Sequence, residues 1–306
     1  MSPVSLANVL CPDFELLIGM SLIALLAGCL VEPTPVGAAM VRALDRTTEW
    51  IRDNTENMFR AGVGMFFVAI WAIGGVLMTP ELKTNSTIIG FIHLGIAAGM
   101  LSRRTMPLSG LGIMSIYAVA IWNYGLFHLA DYPIFLGVAL YLILTGLQRD
   151  LFGMRPLDVV RWAAGITLMW ASIEKWAYPE WSYPLLNQHP ALTLGFQPEF
   201  YMRAAGAIEF ALAFTLVWTP LLRRIGAIML AGMFIGAVIQ FGKIDFIGHS
   251  LIIVVLLAIV ADRGKVGREL VRYPWLSPVG YASALAVFLA MYYAGHTALF
   301  GAAAVT

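Results

Sequence analysis

Acidic, basic and imidazole side chains interrupt otherwise apolar runs at a few defined places in this 306-residue chain. Glu174 and Lys175 close the run "ITLMWASIEKWAY", and Glu209 lies in the middle of "RAAGAIEFALAFTLVW". Gln240 and Lys243 close the following run, and Asp245 and His249 open the next. His93, in "IIGFIHLGIAAGM", holds the place corresponding to Glu209, and His128 and Asp131 stand at a further corner. An ionised group at membrane depth costs on the order of 2.5 to 3.5 kcal/mol on insertion scales, so each needs a reason to be there. What such a set can do is hold and move protons. A lysine in this setting is balanced between desolvation, which disfavours the ammonium, and a nearby carboxylate, which favours it. Lys175, with Glu174 or Glu209 as its counter-charge, is the candidate proton donor or acceptor, and Glu209 and His249 are its candidate catalytic partners. Glu174, His93, Asp245, Gln240 and Trp181 are the candidate ligand-contacting residues.

Plainer readings stand beside these. Lys175 and Lys243 lie near the ends of apolar runs, from which a long side chain also reaches the headgroups. Asp245 precedes a helix start and fits an N-cap. His128 and Asp131, three residues apart, fit a capping pair. Glu209 is harder to explain away, because only neutralisation or a partner lowers the cost of a buried carboxylate. The imidazoles and carboxylates come from different runs, with no HxxxH or CxxC spacing, so no metal is expected. Hydrolytic, nucleotide-driven and dinucleotide chemistry has no support, since no GxSxG, P-loop or GxGxxG pattern occurs. Cys11 and Cys29 lie roughly 27 Å apart along one expected helix and are expected to stay unpaired.

The elements that must position these residues follow from composition. With 60% hydrophobic and 12% charged residues, the chain is no ordinary soluble domain, and a net charge of +1 argues against a nucleic-acid binder. It reads as an all-α integral membrane protein whose main partner is the lipid bilayer. About ten apolar runs, each near the roughly 20 residues that a bilayer core requires, are expected to span: 14–31, 59–78, 86–101, 107–126, 132–147, 158–177, 201–220, 225–243, 246–261 and 277–296. The segment "VRALDRTTEWIRDNTENMF" is too charged to span and reads as a helix on the inner surface. Of the 19 Lys and Arg, all but Lys83, Lys175, Arg203 and Lys243 fall at the breaks after odd-numbered spans. That bias puts those breaks in the cytoplasm and both termini on the periplasmic side of a cell inner membrane. The candidate residues then fall in the outer half, and the inner half is expected to be nearly devoid of buried charge. They are expected to converge on a pocket open to the outer side.

Spans two to five also resemble spans six to nine. "FRAGVGMFFVAIW" answers "VRWAAGITLMWAS", and "WNYGLFHLADYPIFLGVALYLI" answers "IQFGKIDFIGHSLIIVVLLAIV". Two parallel four-helix units are therefore expected, at 58–150 and 151–264, flanked by an N-terminal span with the inner-surface helix at 1–57 and by a C-terminal span at 265–306. The longer loop from Ala177 to Phe200, rich in proline and aromatic residues, suits a cap over the second unit.

The stretch "ITLMWASIEKWAYPEWSYPLL", with "RAAGAIEFALAFTLVW" and "RRIGAIML" after it, resembles the DoxX/DoxD family of small four-helix membrane proteins over roughly residues 160–262. In that pattern one helix ends in an aromatic-lined turn with a lysine, the next carries a buried Glu, and a Gly-His step opens the fourth. Lys175, Glu209 and the Gly248–His249 pair hold those places, while Ser172 and Glu174 stand where glycine is common. The same stretch looks like the membrane part of the vitamin-K-dependent carboxylases, where a lysine at such a turn deprotonates a quinol. The resemblance implies a bound quinone, a link to sulfur-compound oxidation, and other membrane or periplasmic redox subunits as partners. The alternatives are a solute or ion transporter, or a structural subunit of a membrane complex.

Overall fold

The computed structural model describes residues 2–301, and among them the chain is helical throughout, with only two isolated β-bridges, Val76 to Lys83 and Leu151 to Met154. The long helices are α1 (Pro12–Val31), α2 (Pro35–Thr47), α3 (Thr55–Ile73), α4 (Thr87–Gly99), α5 (Met106–Tyr124), α6 (Pro133–Leu147), α7 (Pro156–Ala177), α8 (Pro198–Leu216), α9 (Pro220–Phe241), α10 (Lys243–Val260) and α11 (Leu276–Phe300). Proline at the start of α6, α7, α8 and α9 fits the first helical turn, where the missing N–H has no partner to lose. At the far ends, Gly74 after α3 and Gly125 after α5 adopt φ of 72° and 84°, which a side chain would resist.

Six helices (α1, α3, α5, α9, α10 and α11) are long and apolar enough to cross a membrane among the described residues. The helices α4 and α6 are apolar but shorter, with 13 and 15 residues. The other two members of the bundle carry charge: Asp158, Arg161, Glu174 and Lys175 on α7, and Glu199, Arg203 and Glu209 on α8.

Neighbouring helices pack in sequence order from α3 to α10, and α10 returns to pack on α3, so eight helices close a ring. The Phe59–Tyr141 stack joins α3 to α6 across one half of the ring, and α7 meets α10 across the other. Outside the ring, α1 lies against α8 and α11. Glycines allow the close approaches: a Cβ built on Gly226 of α9 would lie 1.9 Å from Thr215 Oγ1 and 3.0 Å from the Leu212 carbonyl of α8.

The structure differs from the sequence-based expectations in three places. The helix expected over 59–78 stops at Ile73, where Gly74 and Gly75 both take positive φ, and the loop that follows folds inward to bury Leu77, Met78 and Leu82. The expected surface helix is broken at Thr48 and Asn54, leaving α2, a short turn over Glu49–Asp53, and α3 beginning at Thr55. The arginine-rich end, moreover, is not devoid of buried charge. Asp158 accepts hydrogen bonds from Arg155 (2.8 and 3.0 Å) and Arg161 (3.1 Å), while Asp262 pairs with Arg155 at 3.1 Å and Arg223 at 3.2 Å. The guanidinium of Arg161 donates to the Leu216 carbonyl and that of Arg224 to the Val260 carbonyl, closing the last turns of α8 and α10. Arginines that a charge count reads as loop residues therefore sit inside the bundle, because a guanidinium has enough donors to serve a carboxylate and a carbonyl together.

Candidate functional site

At the end of the ring opposite those arginines lies a cavity of about 740 Å³. Its polar lining is built in three pairs. Lys175, in the last turn of α7, places Nζ 2.5 Å from Oε2 of Glu209 on α8, whose side chain is only 7% exposed. His249 and Asp245, one turn apart on α10, are joined from Nδ1 to Oδ2 at 3.0 Å, and Phe234 of α9 packs against the imidazole. Glu174 of α7 and Asp131, just before α6, bring their carboxyl groups face to face. Buried beside them, Asp131 Oδ1 has no hydrogen-bond partner.

Donation from His249 Nδ1 to the Asp245 carboxylate would leave Nε2 as a lone-pair acceptor. Phe234, Phe241, Ile244, Leu251 and Ile252 supply apolar surface to the same cavity. The cavity therefore joins ionisable side chains and apolar surface in one space. Among the described residues no cluster of His, Cys, Asp and Glu has the geometry of a metal site.

Lys175, Glu209, His249, Glu174 and Asp245 all line this cavity. Three other sequence candidates do not. His93 is buried on α4 with Nε2 2.9 Å from the Leu77 carbonyl, where it pins the inward-folded loop between α3 and α4. Gln240 lies on the exposed side of α9, where its Nε2 meets His189 Nδ1 at 3.1 Å. Trp181 stacks on Tyr178, 4.2 Å between ring centres, and lines a separate cavity of about 430 Å³. That second cavity is walled by Tyr124, Phe127, His128, Tyr292 and His296 among others, and Glu174 lines both. The Ala177–Phe200 loop contributes Leu185 to the main cavity.

Sequence reasoning missed Glu81 and Tyr132. The Tyr132 hydroxyl donates to Glu81 Oε2 at 2.9 Å, and both line the cavity beside Asp131. Glu81 belongs to the loop after α3, in the half of the ring that carries no lysine of its own at this depth, and nothing local marks it. Only its presence in a loop that also buries Leu77 and Leu82 could have drawn attention to it.

Both Cys11 and Cys29 are free. Comparison with protein-family models, with characterised proteins and with solved structures gives no match to this chain.

Proposed function

We propose that the chain is a multi-pass inner-membrane protein of ten spans, with both termini on the periplasmic side. In this reading it is a DoxX/DoxD-like redox protein or redox subunit, and the acid-lined cavity takes a lipid-soluble quinol. The single observation that carries the reading is the meeting of Lys175–Glu209, His249–Asp245 and Glu174–Asp131 in one cavity with an apolar wall. The ring order supports a pair of four-helix units, because α3 to α6 and α7 to α10 repeat the same succession of neighbours. Arg155, Arg161, Arg223 and Arg224 at one end, with the cavity at the other, support the orientation drawn from the basic residues.

The cavity suits the oxygens of a quinone or quinol head, since Asp131 Oδ1 is a buried carboxyl oxygen without a protein partner. A bound quinol supplies two electrons and two protons. Asp131 Oδ1 and His249 Nε2 accept from its hydroxyls, Asp245 holds the imidazole in the required tautomer, and Lys175 steadies the Glu209 carboxylate beside them. Phe234 and Phe241 hold the ring and the first part of its tail out of water.

The test is saturable binding of decylubiquinol to the purified protein, followed by quenching of tryptophan fluorescence. A hydrogen bond to a neutral group contributes about 0.5 to 1.5 kcal/mol, so Asp131→Asn and His249→Ala should each weaken binding by roughly 2- to 10-fold. Absence of saturation in the unaltered protein would refute the reading. A second reading, transport of a cationic solute, is favoured by one observation: Glu81, Asp131, Glu174, Glu209 and Asp245 outnumber Lys175 and His249 around the cavity. Cation flux into proteoliposomes that is lost in Glu209→Gln would favour it instead.

A further inference from the structure

At the arginine-rich end, between α2 and the segment leading to α11, lies a concavity of about 670 Å³ lined by Arg42, Arg268 and Arg272 together with Glu32, Glu269 and Tyr273. Arg155, Arg161, Arg223, Arg224 and Arg263 at this end are engaged with carboxylates or carbonyls. No side-chain hydrogen bond or ion pair engages Arg42, Arg268 or Arg272 among the described residues. Of the two acids, Glu32 is turned inward, with Oε1 accepting from the Leu221 amide at 2.8 Å. Three exposed guanidinium groups that no carboxylate pairs with thus line one hollow, with Glu269 as the exposed acid beside them, and their free donors suit an anion.

The surroundings say which anion. On α2, Val36 and Met40 stand one turn apart and are 61% and 38% exposed, so the helix has an apolar strip with no protein against it. Arg42 lies on the other face of the same helix, toward the hollow, and Tyr273, about half exposed, lines the hollow with it. An amphipathic basic helix with aromatic residues at the same level is the arrangement by which a protein surface meets a lipid interface. Guanidinium groups pair with phosphate oxygens through two parallel N–H donors.

We propose that this hollow binds the phosphate of an anionic phospholipid headgroup, with Arg42, Arg268 and Arg272 as its ligands and the apolar strip of α2 lying in the adjoining leaflet. The site is distinct from the cavity at the other end and does not depend on what that cavity binds.

The test uses the full chain in uncharged detergent. Binding is measured by native mass spectrometry and by the upward shift in melting temperature on adding dioleoylphosphatidylglycerol, dioleoylphosphatidylcholine or inorganic phosphate. Each basic residue near an anionic headgroup contributes roughly fivefold in affinity, so the triple variant R42Q/R268Q/R272Q should bind phosphatidylglycerol about 100-fold more weakly. The control K83Q/R104Q/R149Q removes the same charge from exposed basic residues outside the hollow and off α2, and should lose far less. Equal shifts from phosphatidylglycerol and phosphatidylcholine would overturn the proposal, as would equal losses in the two triple variants. An equal shift from inorganic phosphate at matched concentration would reassign the site to a free anion and overturn the lipid assignment. Unaltered melting of R42Q/R268Q/R272Q in the absence of lipid shows that a loss of binding is not a loss of fold.

Discussion

The Lys175–Glu209 pair gives the sharpest test of how the cavity is built, because its two members are unequally exposed. The lysine side chain is 31% exposed and the glutamate 7%. Removing one partner of a buried ion pair costs about 3 to 5 kcal/mol when the survivor is left desolvated. Lys175→Met strands Glu209, which has almost no route to water, and should cost about 3 kcal/mol. Glu209→Gln strands a lysine at the end of α7, whose long stem lets the ammonium swing outward, so its cost should be smaller, about 1 to 2 kcal/mol. In the double variant neither charge is left alone, and the cost should fall short of the sum of the singles by about 1.5 to 3 kcal/mol. The measurement is equilibrium unfolding in mixed micelles, read by circular dichroism for the four members of the cycle, with Lys243→Met as a control that shifts by less than about 0.5 kcal/mol. Equal single effects, or additivity within 0.5 kcal/mol, would mean that the two side chains do not share the site, and the cavity chemistry built on them would fall.

Three further outcomes follow from the fold. Asp262→Asn removes the counter-charge of Arg155 and Arg223 and weakens the acceptor of the Gly264 amide, and should cost about 3 to 5 kcal/mol in the same unfolding assay, against at most about 1 kcal/mol for Asp13→Asn at the half-exposed Arg203 pair. Gly226→Ala drives a methyl into Thr215 and the Leu212 carbonyl and should lower stability by about 1 to 3 kcal/mol, whereas Gly232→Ala, with open space around it, should not. Burial pushes the Glu32 carboxyl above its ordinary range, so the folded chain keeps a proton that the unfolded chain releases, and stability falls as pH rises from about 4.5 through the folded value. Glu32→Gln should flatten that fall, read as the melting temperature of the two proteins from pH 4 to 8.

Much of this architecture was legible from apolar run length alone, because a segment that must satisfy its backbone away from water has few options besides a helix. The helix starts at Pro133, Pro156, Pro198 and Pro220 carry the local signal that fixes φ. The loop after Ile73 was not legible, since Val76, Leu77 and Met78 are as apolar as a helix and only the paired glycines mark the stop. Within the site, depth in the apolar run identified Glu209, Lys175 and His249 as residues needing a reason. Depth did not say where a side chain turns. His93 has the same depth and the same surroundings in sequence, yet it is satisfied by the Leu77 carbonyl of its own half of the ring.

The difference between the two halves also bears on what the cavity can bind. In the first half the inward loop fills the space with Leu77, Met78 and Leu82, and His93 serves a backbone carbonyl. In the second half the space beside the Ala177–Phe200 loop stays open, and the ionised groups that the first half supplies to it, Glu81 and Asp131, are both acids. A ligand entering there meets more proton acceptors than donors, and the one lysine is already engaged by Glu209. An anion would add charge of the same sign to this lining and is disfavoured. A neutral ligand with a hydrocarbon part meets no such repulsion, can pair with Asp131 Oδ1 and can cover Phe234 and Phe241, so the lining favours a neutral ligand over an anionic one.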